Sequence, residues 1–164
     1  MKIAIASDKR AIGRKLEVKR FLEEQGHTVI EVVPDENTAV VHTISAPKVC
    51  KLVQSGEVER GILICGTGMG MSMVANKHKG IRAACCESTY AVESCRRINN
   101  ANVLCMGAFI LGPQLACDMA ERFVMTPFAE GFEAERIAYI KERDADLAKI
   151  EEANFKQISK NFNF

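Results

Sequence analysis

The chain has 164 residues, 48% of them apolar and 26% charged, which is enough for one packed core and too hydrophobic for wholesale disorder. Lys and Arg total 22 against 21 Asp and Glu, a net charge of +1, and aromatics are scarce, with no Trp and two Tyr. That balance excludes an electrostatic or base-stacking case for a nucleic-acid partner and gives no reason to expect an anionic membrane surface.

In chain order, Ile3–Ala6 is a continuous apolar run ending at Ser7-Asp8, the pattern of a strand buried on both faces. Leu16, Phe21 and Leu22 mark a helical stripe between about Gly13 and Gln25, stopped by Gly26. Thr28–Val33 is rich in β-branched residues and ends at a Pro34-Asp35 turn, so it reads as a strand. A helix over Ile44–Val53 closes at Ser55-Gly56. Gly61–Cys65 is the next buried strand, followed by a glycine-rich turn and a short helix to Lys77. Strand Ile81–Cys85, helix Ser88–Arg97, strand Asn102–Met106 and helix Gly112–Val124, with Pro113 at its start, repeat the alternation.

Five strands joined by helices predict an α/β fold, a Rossmann-like three-layer α/β/α sandwich on a five-stranded parallel sheet. A charged helical tail follows, with a weak apolar stripe of Ile137, Ile140, Leu147 and Ile150 that needs a surface to lie on. The division expected is a main domain over 1–143 and a C-terminal helical tail over 144–164, packing on the domain or on a partner subunit.

The N-terminus MKIAIASDKR turns polar too soon for a signal peptide, and no apolar run approaches the length of a membrane span. A cytoplasmic protein with reduced thiols is the expectation, with no membrane partner. The seven cysteines (50, 65, 85, 86, 95, 105 and 117) show no C-x-x-C spacing, and the three histidines stand alone, so neither a disulfide framework nor a metal site is expected. Cys85, Cys86, Cys105 and Cys117 read as packing residues, and Cys50 and Cys95 as inert thiols on helices.

In an open parallel sheet, ligands sit beyond the carboxyl ends of the strands, at the topological switch point. There the sequence delivers Ser7-Asp8-Lys9-Arg10 after the first strand and Cys65-Gly66-Thr67-Gly68-Met69-Gly70 after the third. Alternating glycines between a buried strand and a helix allow successive N–H groups to line one anion-binding concavity. The loop is not a Walker A motif, since no Lys-Ser/Thr follows, and its G-x-G-x-G spacing is not that of a dinucleotide fingerprint. Cys65, at a strand end facing a helix N-terminus, is placed where a thiolate is favoured. His42 reads as a surface loop residue. Arg96-Arg97 reads as a solvated helix face, and Asn76 and Arg82 as structural braces of the loop.

The runs GILICGTGMGMSMVANKHKGIRAACCES and NNANVLCMGAFILGPQLACDMAERFVMTPF resemble the RpiB/LacAB family: ribose-5-phosphate isomerase B, allose-6-phosphate isomerase and the galactose-6-phosphate isomerase subunits. The resemblance runs from Met1 to about Arg143. It implies cofactor-free and metal-free aldose–ketose isomerisation of a sugar phosphate through a cis-enediolate. By position, Cys65 would be the base, Thr67 would assist proton movement and Asp8 would bind substrate hydroxyls. The N–H groups of Gly66, Gly68, Met69 and Gly70 would hold the oxyanion, Lys9 and Arg136 would meet the phosphate, and Asn99 would face the sugar from a partner subunit. His42 and Arg10 are further candidates for the site. A homodimer or dimer of dimers is implied, or a hetero-oligomer with a paralogous subunit.

The sequence departs from the family at four places. Val41-His42-Thr43 replaces D-Y-P, Lys9 replaces a His, Ile98 stands where the ring-opening His belongs, and Phe132 stands where a phosphate-binding Arg belongs. A substrate other than ribose 5-phosphate is therefore expected, a tetrose or hexose phosphate. A tetrose 4-phosphate cannot cyclise through its substituted oxygen, so Ile98 would cost it nothing. The alternatives are a non-catalytic sugar-phosphate-binding or regulatory subunit, and an isomerase of an unphosphorylated acidic sugar.

Overall fold

The computed structural model describes residues 1–32 and 41–162, with side chains described through Gln157. Its elements are β1 (Lys2–Ser7), α1 (Ile12–Glu24), β2 (Thr28–Glu31), α2 (His42–Gln54), β3 (Arg60–Cys65), α3 (Met69–Ala75), β4 (Ala83–Cys85), α4 (Thr89–Arg97), β5 (Val103–Gly107), α5 (Pro113–Met125) and α6 (Ala134–Phe162). The strands form one parallel sheet in the order β2-β1-β3-β5-β4. The α/β sandwich expected from the alternation is the fold observed. The Pro34-Asp35 turn lies outside the described residues.

The continuous apolar runs mark the middle of the sheet. In β1, Ile3 and Ile5 face one core with Ile62, Ile64, Leu104 and Phe123, while Ala4 and Ala6 face the other with Val49, Leu63 and Cys105. Alternate side chains of a strand point to opposite faces, so a strand covered by helices on both sides must be apolar throughout. Small residues set the closest approach on the second face. A Cβ on Gly61 would lie 2.6 Å from a Val49 methyl, which is how near α2 comes to β3.

Chain reversals place β2 on one side of β1 and β3 on the other. The loops leaving β1 and β3 therefore diverge, and a crevice opens between them at their carboxyl ends. β4 is shorter than expected, because Arg82 N–H donates to the Asn102 side chain at 2.8 Å and Ile81 N–H to His78 O at 3.1 Å. A short edge strand also leaves little unpaired backbone for unwanted pairing.

α6 continues unbroken past residues 143 and 144. Ile140 is buried, Arg82 pairs with Asp144, and Glu151 accepts the Gly80 N–H at 2.7 Å. Arg82 therefore braces the tail, and its backbone pairs with Asn102 at the start of β5 rather than with the glycine loop. Asn76 holds β4 with both ends of its amide, donating to Ala83 O at 2.8 Å and accepting from Ala83 N–H at 2.9 Å.

One arginine corrects the sequence reading. Arg96 is buried, not solvated: Nε donates to Thr126 O at 3.2 Å and Nη1 to Ala101 O. Arg60 joins it, donating to Phe123 O, Val124 O and Thr126 O, so two guanidinium groups satisfy the carbonyls at the end of α5. Both lie over the Phe123 ring, with centroid distances of 5.6 and 5.8 Å. Burial, and then the charge of Arg96, lower the Arg60 pKa to about 10.

Candidate active site

The loop Cys65–Gly70 sits at the switch point between β1 and β3, and its conformation explains its glycines. Gly68 is left-handed, with φ at +80°, and a Cβ there would lie 2.8 Å from Cys85 Sγ and 3.1 Å from the Met106 carbonyl carbon. Gly107, paired with Cys65 in the ladder, leaves room for Thr67, whose Cα would stand 2.9 Å from a Cβ. Only glycine satisfies both positions.

The turn brings backbone to sulfur. Gly68 N–H donates to Cys65 Sγ at 3.1 Å, and Cys65 itself is buried at the end of β3. Gly68 is the N-cap of α3, so the first-turn N–H groups from Met69 onward have no acceptor within their own helix. Thr67 is exposed beside the buried thiol. Asp8 is buried at the end of β1, its N–H held by Ile64 O at 3.0 Å. Its carboxylate accepts from Arg10 N–H at 2.9 Å and from Arg10 Nη2 at 3.3 Å.

His42 is not a loop residue. It opens α2, half-buried, with its ring 3.3 Å from where a Cβ on Gly70 would stand. The structure thus brings Asp8, Arg10, His42, Cys65, Thr67 and Gly66–Gly70 to one crevice. Lys9 lies in the same loop, exposed, with no hydrogen bond or ion pair among the described residues.

Burial raises the Cys50 pKa to about 11 and that of Cys105 well above the ordinary thiol value. Cys86 donates to Cys95 Sγ at 4.0 Å, a hydrogen bond that raises the donor's pKa and lowers the acceptor's. Cys85 is a correction: it is exposed rather than packed, and its thiol donates to Thr67 O at 3.6 Å. Burial of the sulfur, then the neighbouring Cys86, Cys65 and Glu87, push its pKa up. Strand alternation held the signal, since Cys86 faces the core and its neighbour must point the other way.

Asn99 and Arg136 stand elsewhere. α4 runs back from the carboxyl end of β4, so Ile98 and Asn99 enter β5 at the amino end of the sheet. The strand length, about 17–20 Å, separates them from Cys65 of the same chain. Asn99 is exposed there beside Arg82 and Cys95. Ile98, Phe132 and Arg136 line a neighbouring cleft of about 120 Å³ with Arg97. Arg97 and Arg136 flank the Phe132 ring at 4.2 and 5.1 Å from its centroid. Arg97 is engaged by Glu93 at 3.1 Å and by the Glu130 and Gly131 carbonyls at 3.1 and 2.9 Å. Arg136 is exposed, and Phe132 is its one ring or ion-pair contact among the described residues.

The fold is a parallel α/β sandwich, and a thiol, a carboxylate and a glycine-rich backbone turn meet at its switch point. The ribose/galactose isomerase family model matches residues 3–140, and the chain belongs to that family, an isomerase of the aldose–ketose kind. It is 46% identical over 158 residues to a 4-deoxy-4-sulfo-D-erythrose isomerase from Clostridium sp. (strain MSTE9), covering 96% of this chain and 99% of that one. It is 37% identical over 150 residues to a D-erythrulose-4-phosphate isomerase from Pectobacterium atrosepticum, covering 88% and 97%. The solved structure of Clostridium thermocellum ribose-5-phosphate isomerase B superposes with a TM-score of 0.83 at 38% identity, covering 94% and 99%. Among the described residues no helix is long and apolar enough to cross a membrane.

Proposed function

We infer that the protein isomerises a four-carbon aldose and its ketose that carry a terminal anion on C4, a sulfonate in the first instance. The observation that carries this reading is the cleft at the amino end of the sheet, where Ile98 and Phe132 stand beside Arg136. Isoleucine transfers no proton, so the substrate must be open-chain without help. A tetrose whose C4 bears sulfur in place of oxygen has no hydroxyl there to close a furanose ring. A sulfonate carries a single charge, and an apolar Phe132 in place of a second arginine suits a monoanion better than a phosphate dianion. The 46% identity to a 4-deoxy-4-sulfo-D-erythrose isomerase supports the same substrate class.

In this reading Cys65 Sγ, as thiolate, takes the proton from C2 of the aldose, and the electron pair moves through C1 onto O1 as the enediolate. The loop N–H groups face the charge developing on oxygen, where fixed donors contribute most. Thr67 passes a proton between O2 and O1, and the Cys65 thiol returns its proton to C1, giving the ketose. Asp8 accepts from substrate hydroxyls. Asn99 and Arg136 reach the sugar from a second copy of the chain, because the length of the sheet separates them from their own Cys65.

Proton NMR in D₂O tests the substrate directly, with 4-deoxy-4-sulfo-D-erythrose, erythrose 4-phosphate, ribose 5-phosphate and a hexose 6-phosphate compared at equal concentration. The sulfonated tetrose is expected to exchange and isomerise fastest. Faster turnover of ribose 5-phosphate overturns the reading.

A further inference from the structure

Arg10 leaves the end of β1 and reaches the mouth of the glycine loop, and separate contacts fix where it stands. Its N–H and Nη2 both donate to the buried Asp8 carboxylate, at 2.9 and 3.3 Å. Its guanidinium carbon lies 5.8 Å from the Phe109 ring centroid, within cation–π range. The same carbon is 3.8 Å from the point a Cβ would occupy on Gly66, and the Phe109 ring is 3.2 Å from that point. Residues from the ends of β1, β3 and β5 therefore form one assembly beside Cys65.

The assembly is poorly explained by folding. Phe109 is 67% exposed and adds little to the core, and 60% of the Arg10 side chain is exposed. A guanidinium offers five N–H donors, and Asp8 engages only one of them. The others are left at the crevice on a cation that aromatic and carboxylate contacts hold in place. Lys9, next to it, has no such hold among the described residues.

We propose that Arg10 recognises the terminal anion of the substrate, and that its nearness to the loop restricts the sugar to a short chain. The proposal rests on the isomerase reading above and assigns its anion contact within the same protomer as Cys65. With C1 and C2 held at the Cys65 loop, the sulfur of a C4-sulfonated tetrose lies three bonds beyond C2, about 4 Å away in an extended chain, and its charged oxygens one bond further. Arg10 stands at that range from the loop, and a longer phosphorylated sugar carries its charge past it. Arg10 is thus the specificity-determining residue, and Phe109 is the positioning residue behind it.

The test compares 4-deoxy-4-sulfo-D-erythrose with 4-deoxy-D-erythrose, which has the same carbons, no C4 hydroxyl and no charge. Arg10→Gln should raise KM for the sulfonated sugar about 10-fold or more, as expected for loss of a charge-assisted contact, with kcat within about threefold. It should leave kcat/KM for the neutral sugar within about threefold of wild type, and Arg10→Lys should recover part of the loss because the charge returns without the fork. A thermal melt confirms that each variant is folded, as the Arg10 side chain is exposed. Equal losses on both sugars would assign Arg10 to positioning Asp8 and overturn the proposal, as would an unchanged KM. If the wild-type protein turns over neither tetrose, the substrate reading fails by itself. Arg10→Gln is then measured on the sugar phosphate that wild type isomerises fastest, and an unchanged KM there overturns the Arg10 assignment separately.

Discussion

At the carboxyl ends of β1 and β3 the proposed working groups are largely backbone: the N–H groups of the Gly66–Gly70 loop, with Gly68 N–H on Cys65 Sγ. At the amino end of the sheet they are side chains, with Arg97 and Arg136 around Phe132, and Ile98 and Asn99 at the start of β5. The first end tolerates little, because Gly68 and Gly107 are pressed against neighbours on every side a methyl could occupy. The second can exchange side chains without disturbing the backbone, and there Ile98 and Phe132 depart from the family pattern. The proposed reaction chemistry and the Arg10 contact sit at the rigid end, and the other end is where side chains can change at least cost to the backbone.

The strongest challenge to that contrast is at Cys65. Cys65→Ala removes the proposed base and should lower kcat about 10³-fold, within the usual range for a positioned acid–base group. Stopped-flow or coupled assays measure it, and a residual rate near wild type would move the base elsewhere. Because the alanine fills nearly the same space at the end of β3, the melting temperature should change by only a few degrees.

A second experiment asks whether the two ends meet between copies. Cys65→Ala and Arg136→Ala are each expected to be weak alone. Mixed after mild unfolding and reassembly, they should recover activity, since one of the two composite sites in a mixed dimer carries neither change. Recovery should approach about a quarter of wild type for random pairing of symmetric dimers. No recovery, with dimers formed, would place Arg136 outside the site.

The smallest effect tests a region away from both ends. Glu31 accepts from Lys15 and Lys19 at 2.5 and 2.9 Å. The Lys15 hydrogen bond, followed by that of Lys19, holds its carboxyl below the ordinary range despite its partial burial. A lowered folded-state pKa contributes stability that is present above the unfolded value and lost as pH falls through the folded one. Glu31→Gln should therefore cost about 1–2 kcal/mol at pH 7, leaving Lys15 buried without its partner. The gap between the two proteins' melting temperatures should close as pH drops from 5 toward 3. Activity per folded molecule should not change.

The legible parts of the molecule were those in which one short segment contains its own reason. Ile3–Ala6 and Gly61–Cys65 are apolar throughout because helices cover both faces of the central strands, and the ICGTGMG turn needs its glycines for a local conformation. Arg96 could not be read this way, because its partners Ala101, Thr126 and the Phe123 ring come from other elements. Cys85 was read as packing because its neighbours are apolar, although the loop it meets arrives from residues 67 and 68.

By itself, the sequence determined the alternating α/β order, the buried central strands and the loop that carries Cys65, since each follows from local periodicity and backbone preference. Only the tertiary structure decided which loops meet. It set Arg10 against Phe109 and Asp8, brought the His42 ring onto Gly70, and put Asn99 and Arg136 at the far end of the sheet from Cys65. Strand order and helix direction set those distances, and neither is written in any single segment.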